Sequence, residues 1–584
     1  FSVARLKPGV TVESAARDVV GLAKQLETEN PSTNTGQSAD VVTVRDNLVG
    51  GSRTALMTLL AAVGVVLLIA CFNVANLQLA RAAARRTEIS VRAALGASRS
   101  RLVRQLLTES VLLSVAGGAL GLLLTAVMMK SLVANLPANL YLAAEVGLNM
   151  RVLMFAILLT LGTGVLFGMA PAMRSSRADL GGALRDRGGR GANRAGMRDG
   201  FVVAQIALST MLLIAAGLLI RSLVSLQQVE PGFDMKNVLT MEFRLPPTKY
   251  KTPEQITAFM LRATDEIRRV PGVTSAAMVR AVPLSGNFAT GNYTVEGKPE
   301  PKMGEAPGAQ ANAATTGYFA TMRIPMLSGR DFAETDTRES MPVVIVNETL
   351  ARREWPGSSA LGHRVRAVGD SVWRTIIGVV GDAKHLSVSD PPRGQIYTPY
   401  TQDASLFSTV VVRTARDALT FGPPVRAAIW SVDRDQPVWK IRTIESLAKR
   451  SFGQPRFMMM LVAAFAGLAL VLAGVGIYGV MSYAVAQRTH EVGIRIALGA
   501  RGVEVVRLVL RRGMLLTLGA VVLGIVGALA ATRLLASQLY GVSHRDPLTF
   551  AAVPMVLGAV ALVACWLPAR RASRVDPVVA LRAP

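Results

Sequence analysis

Arg86-Thr87-Glu88-Ile89-Ser90-Val91-Arg92-Ala93-Ala94-Leu95-Gly96-Ala97 is echoed 403 residues later by Glu491-Val492-Gly493-Ile494-Arg495-Ile496-Ala497-Leu498-Gly499-Ala500. A second pair follows in the same order. Pro171-Ala172-Met173-Arg174-Ser175-Ser176-Arg177-Ala178-Asp179 returns, offset by 397, as Pro568-Ala569-Arg570-Arg571-Ala572-Ser573-Arg574-Val575-Asp576. The copies run on to Ala183-Leu184-Arg185 and Ala580-Leu581-Arg582. Two ordered matches at nearly one offset make the chain a tandem duplication, and the unit of that duplication decides the fold.

The unit is membrane-embedded. Mean hydropathy is +0.38 over 584 residues and only 18% are charged, too apolar for a soluble multidomain protein. Seven charge-free windows are long enough to cross about 30 Å of hydrocarbon at 1.5 Å per residue. Their bounding charges are Arg53/Arg81, Glu109/Lys130, Arg151/Arg174, Asp199/Arg221, Arg456/Arg488, Arg512/Arg533 and Asp546/Arg570. Cys71 and Cys565 both lie in such windows, which excludes a disulfide framework and a cysteine-rich metal site.

The formal charge of +25 would suggest nucleic acid on a soluble chain. Its location gives a simpler cause. Residues 81–104, 171–200, 487–512 and 569–584 hold 24 Lys and Arg against seven Asp and Glu. These four segments alternate correctly for one side of a membrane, and positive loops are retained in the cytoplasm. Nucleic acid is therefore not expected as a partner; membrane lipid is.

Residues 222–456 fall on the other side and are too long for a loop and too polar for lipid. Short β-branched runs at Val238–Leu245, Val273–Val282, Val343–Val346, Thr375–Val380 and Ser408–Arg413 alternate with helical patterns at Pro253–Val270 and Pro423–Val432. The expected fold class is a multi-span α-helical membrane protein with an α/β extracytoplasmic domain, duplicated in tandem. Its unit is one span, a large outside domain and three spans ending in a basic inside segment.

The expected partition has six parts. Residues 1–53 are the C-terminal remnant of a first outside domain, and Val10–Glu27 resembles the helix before Pro437. Residues 54–173 form the first three-helix membrane domain and 174–200 a basic cytoplasmic linker. Residues 201–221 are the span opening the second repeat, 222–456 its outside domain, and 457–584 its three-helix membrane domain. On this reading one span and most of one domain precede Phe1.

The repeated inside segment has a readable chemistry. Glu88 and Arg92, like Glu491 and Arg495, are four apart with the acidic member first, the better order for an intrahelical pair. Gly96 and Gly499 can take the left-handed conformation that ends such a helix, and Ser98 can cap the next. A helix–Gly–helix elbow at a membrane surface is suited to passing on force; a solvated connecting loop is the plainer alternative, and the recurrence of the elbow in both copies favours the first.

Enzyme motifs fail in turn. His490-Glu491 begins like a zinc-protease helix, but the second ligand position is Ile494 and the first copy has Thr87 for the His. No Gly-x-x-x-x-Gly-Lys-Ser/Thr phosphate loop occurs. Leu284-Ser285-Gly286 and Leu327-Ser328-Gly329 read as turns. His363 and His385 have no paired carboxylate beside them, which leaves an outside-facing enzyme on residues 222–456 without support. No catalytic residue, metal or cofactor is expected. Within the spans, Asn73 and Asn76 share a helix face and suit helix–helix hydrogen bonding better than a substrate path, with Gln78 nearby and Glu109 at the start of another span.

The inside signature, the Pro-Ala-x-Arg-x-Ser-Arg-x-Asp ending and the span/domain/three-span unit resemble the FtsX-like, MacB-type permeases of ABC transporters, in particular duplicated permeases of the acidobacterial type. Gly317-Tyr318-Phe319-Ala320-Thr321-Met322 and Val344-Ile345-Val346-Asn347-Glu348 fit that group. The resemblance implies a MacB-like periplasmic core domain and a bacterial inner-membrane location. It further implies that Glu88, Arg92, Gly96, Glu491, Arg495 and Gly499 belong to coupling helices docked on a separate cytoplasmic ABC ATPase, with a periplasmic adaptor as a further partner. In that family ATP-driven closure is passed to the periplasmic domains by mechanotransmission, for export or extraction of a substrate. The chain departs in having no fused ATPase and in carrying both permease halves. An ATPase-independent membrane scaffold or sensor with the same fold is the alternative.

Overall fold

The computed structural model describes residues 3–34, 38–49, 53–84, 98–134, 147, 149–175, 190–286, 289–301, 306–487, 494 and 501–573. The chain forms two compact units, residues 1–48 with 226–453, and residues 49–225 with 454–584.

In the first unit, β1 (Val238–Arg244), a helix (Pro253–Arg268) and β2 (Val273–Val279) are followed much later by β10 (Phe407–Thr414), a helix (Gly422–Val432) and β11 (Val438–Thr443). These strands lie in the order β11-β1-β10-β2, every pair antiparallel. A βαββαβ chain in that order is a ferredoxin-like layer. The first helix starts where its sequence says it should: Thr252 and Gln255 form a reciprocal capping box, and Pro253 stands at the first turn. It buries Ile256, Phe259, Met260, Ala263 and Ile267, and Phe259 meets Phe243 edge-on at 5.7 Å. Leu239, Met241 and Phe243 alternate along β1 into the same core.

Residues 280–406 are inserted between β2 and β10. Here β3 (Ala289–Val295), β4 (Gly308–Ala314), β6 (Val343–Asn347), β7 (Arg364–Ala367), β8 (Arg374–Val380) and β9 (Gln395–Pro399) close a ring in the order β4-β3-β7-β8-β6-β9, because β9 pairs β6 on one edge and β4 on the other. The short β5 (Met326–Gly329) extends β8. Closure removes the edges that would otherwise template aggregation. A single pair, Val279 with Ala314, joins the ring to the ferredoxin-like sheet. Gly317–Met322 makes a buried turn of helix (Tyr318–Met322) whose Phe319 packs edge-on to Tyr397 at 5.1 Å. Asn347 caps the Glu348–Glu354 helix and also accepts from Gln395 N at 2.7 Å. Both stretches that resembled the permease family are thus structural. The Val12–Glu29 helix, capped by Thr11, belongs to this unit by chain contacts and buries none of its residues.

The second unit is helical. Its long helices are Arg53–Ala84, Arg99–Ala134, Met150–Ser175, Arg190–Gln227, Gly453–Gln487, Gly502–Leu535 and Pro547–Ala572. Among the described residues six are long and apolar enough to cross a membrane. The seventh window, 151–174, is also helical, lying within Met150–Ser175. Leu112, Leu120, Leu123, Leu515, Leu518 and Met555 stand more than half exposed, a surface that suits lipid and not water. Helices approach through small residues: a Cβ on Gly524 would lie 2.8 Å from the Ala207 carbonyl oxygen, and one on Gly164 2.9 Å from Ser114 Cβ. The Arg190–Gln227 helix is the most enclosed span, half of its apolar window being buried. One set of its residues (Val202, Ile206, Ile214, Leu218) packs with the second copy's helices; another (Leu212, Ala216, Leu219) packs with Ala62 and Ile69 of the first copy.

Candidate functional site

Glu88, Arg92, Gly96, Glu491, Arg495 and Gly499 lie outside the described residues. What the structure does describe is how the chain enters and leaves the second of these segments. The Gly453–Gln487 helix leads into it and the Gly502–Leu535 helix leads out, the first-copy counterpart beginning at Arg99 directly after Ser98.

Three helix ends are locked together beside the second segment. Val505 and Ala572 are buried against each other with Val485 packed on them. Gly502 runs so close to the last helix that a Cβ there would sit 3.3 Å from Ser573 Cβ. Arg571 donates to the Tyr478 hydroxyl at 2.9 Å. Two consecutive residues at the inner end of the Arg190–Gln227 helix then reach both neighbours: Arg198 lays its guanidinium 4.0 Å over the Tyr483 ring, and Asp199 accepts from Arg512 at 3.1 Å. The pair Arg198-Asp199 therefore clamps the helix before the segment to the helix after it. Sequence reading treated Asp199 and Arg512 only as charges bounding spans; the signal available was that both lie at inner ends.

The outer end of the same helix is held as well. Arg221 pairs with Asp546, and Asp546 caps the last span by accepting from Thr549 N at 2.9 Å and its hydroxyl at 2.7 Å. Ser222 Oγ accepts from Tyr540 N at 2.8 Å. Asn73 bonds across helices, donating to the Leu472 carbonyl at 3.1 Å, and Gln78 Nε2 stands 3.4 Å from Ser110 Oγ.

In the domain, no group of three His, Cys, Asp or Glu side chains converges among the described residues. His385 is buried with its Nε2 3.5 Å from the Tyr397 hydroxyl. Burial alone pushes its pKa down to about 4, so the ring is neutral at physiological pH. The space beside it, lined by Gln310, Lys384, Asp390 and Gln395 among others, amounts to about 10 Å³, room for a water at most.

Bundled apolar helices with basic inner ends, joined to a ferredoxin-like layer carrying a closed strand ring, define a multi-pass membrane protein with a large extracytoplasmic domain. The FtsX-like permease C-terminal model matches residues 60–180 and again 463–577, and the MacB-like periplasmic core domain model matches 201–421. The two permease matches begin 403 residues apart and end 397 apart, the offsets of the two repeated motifs. The chain belongs to the FtsX-like, MacB-type family of ABC transporter permeases, with the permease region present twice. It is a bacterial inner-membrane protein whose large domain is periplasmic.

It is 24% identical over 295 residues to the macrolide export ATP-binding/permease protein MacB of Marinobacter nauticus, covering 47% of this chain and 43% of that one. It is 26% identical over 284 residues to the uncharacterized ABC transporter permease YknZ of Bacillus subtilis, covering 47% of this chain and 70% of that one. The chain thus spans less than half the length of that MacB relative. The crystal structure of the periplasmic region of MacB from Actinobacillus actinomycetemcomitans matches with 15% identity and a TM-score of 0.27, over 38% of this chain and 96% of that one.

Proposed function

We propose that the chain is the permease subunit of an ABC transporter that couples ATP hydrolysis by a separate cytoplasmic ATPase to conformational change of the periplasmic domain, for export or extraction of a substrate. Glu88–Gly96 and Glu491–Gly499 are the docking elbows, Glu88 with Arg92 and Glu491 with Arg495 stabilising each short helix and Gly96 and Gly499 ending it. The observation that carries the reading is the recurrence of this elbow at the same place in both copies, between the first and second of three clustered spans. The Arg198-Asp199 clamp supports it, because a segment whose flanking helices are tied together passes a push to both. A periplasmic adaptor fits the same reading.

The test is charge reversal. Glu88→Lys and Glu491→Lys each lose only about 0.2–0.5 kcal/mol within the helix, too little to unfold the bundle. We expect normal insertion, loss of co-purifying ATPase and loss of stimulated ATP hydrolysis, the double variant being worse than either single. Normal binding and stimulation by the doubly reversed protein at wild-type levels would move the scaffold reading ahead.

A further inference from the structure

The 403-residue offset that starts both permease matches makes Asn73 equivalent to Gly476. These two positions meet in the bundle. A Cβ built on Gly476 would lie 2.9 Å from Asn73 Oδ1 and 2.6 Å from Gln205 Oε1, so only glycine leaves room for both amides. The reason they come so close is the Leu472 carbonyl. In a helix the carbonyl of residue i is flanked by the side chain at i+4, and for Leu472 that residue is Gly476. The bare carbonyl accepts from Asn73 Nδ2 at 3.1 Å and from Gln205 Nε2 at 2.6 Å. One turn outward, Ser209 donates to the Ala469 carbonyl at 3.2 Å.

The copies cannot exchange these roles. The first-copy equivalent of Leu472 is Ile69, whose carbonyl is flanked by Asn73 itself. Two first-copy helices facing each other would set Asn73 against Asn73, two side chains in a space that here holds one beside a bare glycine. Two second-copy helices would face glycine to glycine, without the Asn73 amide and with Gln205 alone left to donate to the Leu472 carbonyl. Only the mixed pairing sets the Asn73 amide into the space that a glycine leaves and onto the Leu472 carbonyl.

We propose that Asn73 and Gly476, one ancestral position, have become a knob and a hole that commit the first copy's membrane helix to the second copy of the same chain, so that the paired permease is one polypeptide and rejects self-pairing of either half. The inference rests on the duplication and not on the ATPase-coupling reading.

Two measurements on the full chain in native membranes and detergent test it, neither needing an ATPase. With Cys71→Ala and Cys565→Ala as background, Asn73→Cys combined with Gly476→Cys should oxidise to an intrachain disulfide. A protease site placed in the 176–189 connection then yields fragments that stay joined until reductant is added. An interchain band at twice the mass, or no crosslink, overturns the proposal. Second, Gly476→Leu should lower Tm by several degrees and Asn73→Ala should recover part of that loss; strictly additive losses overturn it. If Gly476→Leu does not insert, Gly476→Ala with Asn73→Ala gives the same comparison.

Discussion

Asp199 accepts a charge-assisted hydrogen bond from Arg512 at 3.1 Å across two helices whose residues are 313 positions apart in the chain. Arg512 is 38% exposed and Asp199 22%, so the pair sits at a boundary and not in a dry core. Its value is positional: it lies where the helix leaving the second inside segment can be tied to the helix that opens the second copy. Asp199→Asn should cost about 0.5–1 kcal/mol and weaken with added salt. Asp199→Arg should cost more, because it sets three arginines together, and Arg512→Asp in the same chain should restore the Tm. A double variant no better than Asp199→Arg alone would remove the clamp from the account.

Orientation can be checked at two positions in a background lacking Cys71 and Cys565. Ser340→Cys lies in the domain and should react with an impermeant thiol reagent in intact spheroplasts. Ala192→Cys lies among the 171–200 positive charges and should react only after the membranes are broken open. The reverse pattern would invert the topology.

How much of this was legible depends on which force dominates each segment. The apolar windows, the repeat and the β-branched runs that became β1, β2, β6, β8 and β10 were readable because local pattern and final burial agree there. Gly308–Ala314, GAQANAA, has almost no strand propensity, yet it forms β4 between β3 and β9. Its Asn312 side chain replaces missing ladder bonds by accepting from Ala281 N at 3.0 Å and donating to Ala281 O at 2.8 Å. That bond depends on residue 281 arriving from β2, which no local window contains. The candidate site divides in the same way. The elbow residues were singled out by repetition, whereas Arg198, Asp199, Tyr483 and Arg512 matter through contacts between segments hundreds of residues apart, and repetition is silent about those because the first copy has Glu109 where the second has Arg512.

His385 gives the domain a defined acid sensitivity. The unfolded chain binds a proton at this residue below about pH 6.5, while the buried ring in the fold resists protonation until about pH 4. Between those values the unfolded state holds more protons, so stability rises with pH and falls as the solution is acidified from 6.5 towards 4. The full window amounts to about 3 kcal/mol at most. A His385→Gln variant should be less stable at neutral pH and should flatten the Tm profile across that window. A variant profile parallel to wild type from pH 6.5 to 4 would show that another group sets the slope.

Gly232 stands in the stretch that leads from the Arg190–Gln227 helix into β1, and the fold requires a glycine there for two independent reasons. Its φ of +86° lies in the left-handed region, and a Cβ would fall 1.7 Å from the Asp382 carbonyl oxygen, a backbone atom that cannot rotate away. The approach is stitched on both sides: Lys384 N donates to Pro231 O at 3.0 Å, Asp234 N donates to Met322 O at 3.0 Å, and Arg413 donates to Asp234 O at 3.0 Å. Gly357 provides the control, with φ of +76° and nothing within 4 Å of its Cβ position. Gly357→Ala should cost only the backbone term, about 1 kcal/mol. Gly232→Ala adds a collision that is relieved only if the 382–384 loop moves and breaks the Lys384–Pro231 bond, or the 231–234 stretch moves and breaks all three, for a loss of about 2–4 kcal/mol. Thermal unfolding of the detergent-solubilised chain should therefore separate the two clearly. Equal shifts would mean that the 231–234 stretch is free to move away from the 382–384 loop.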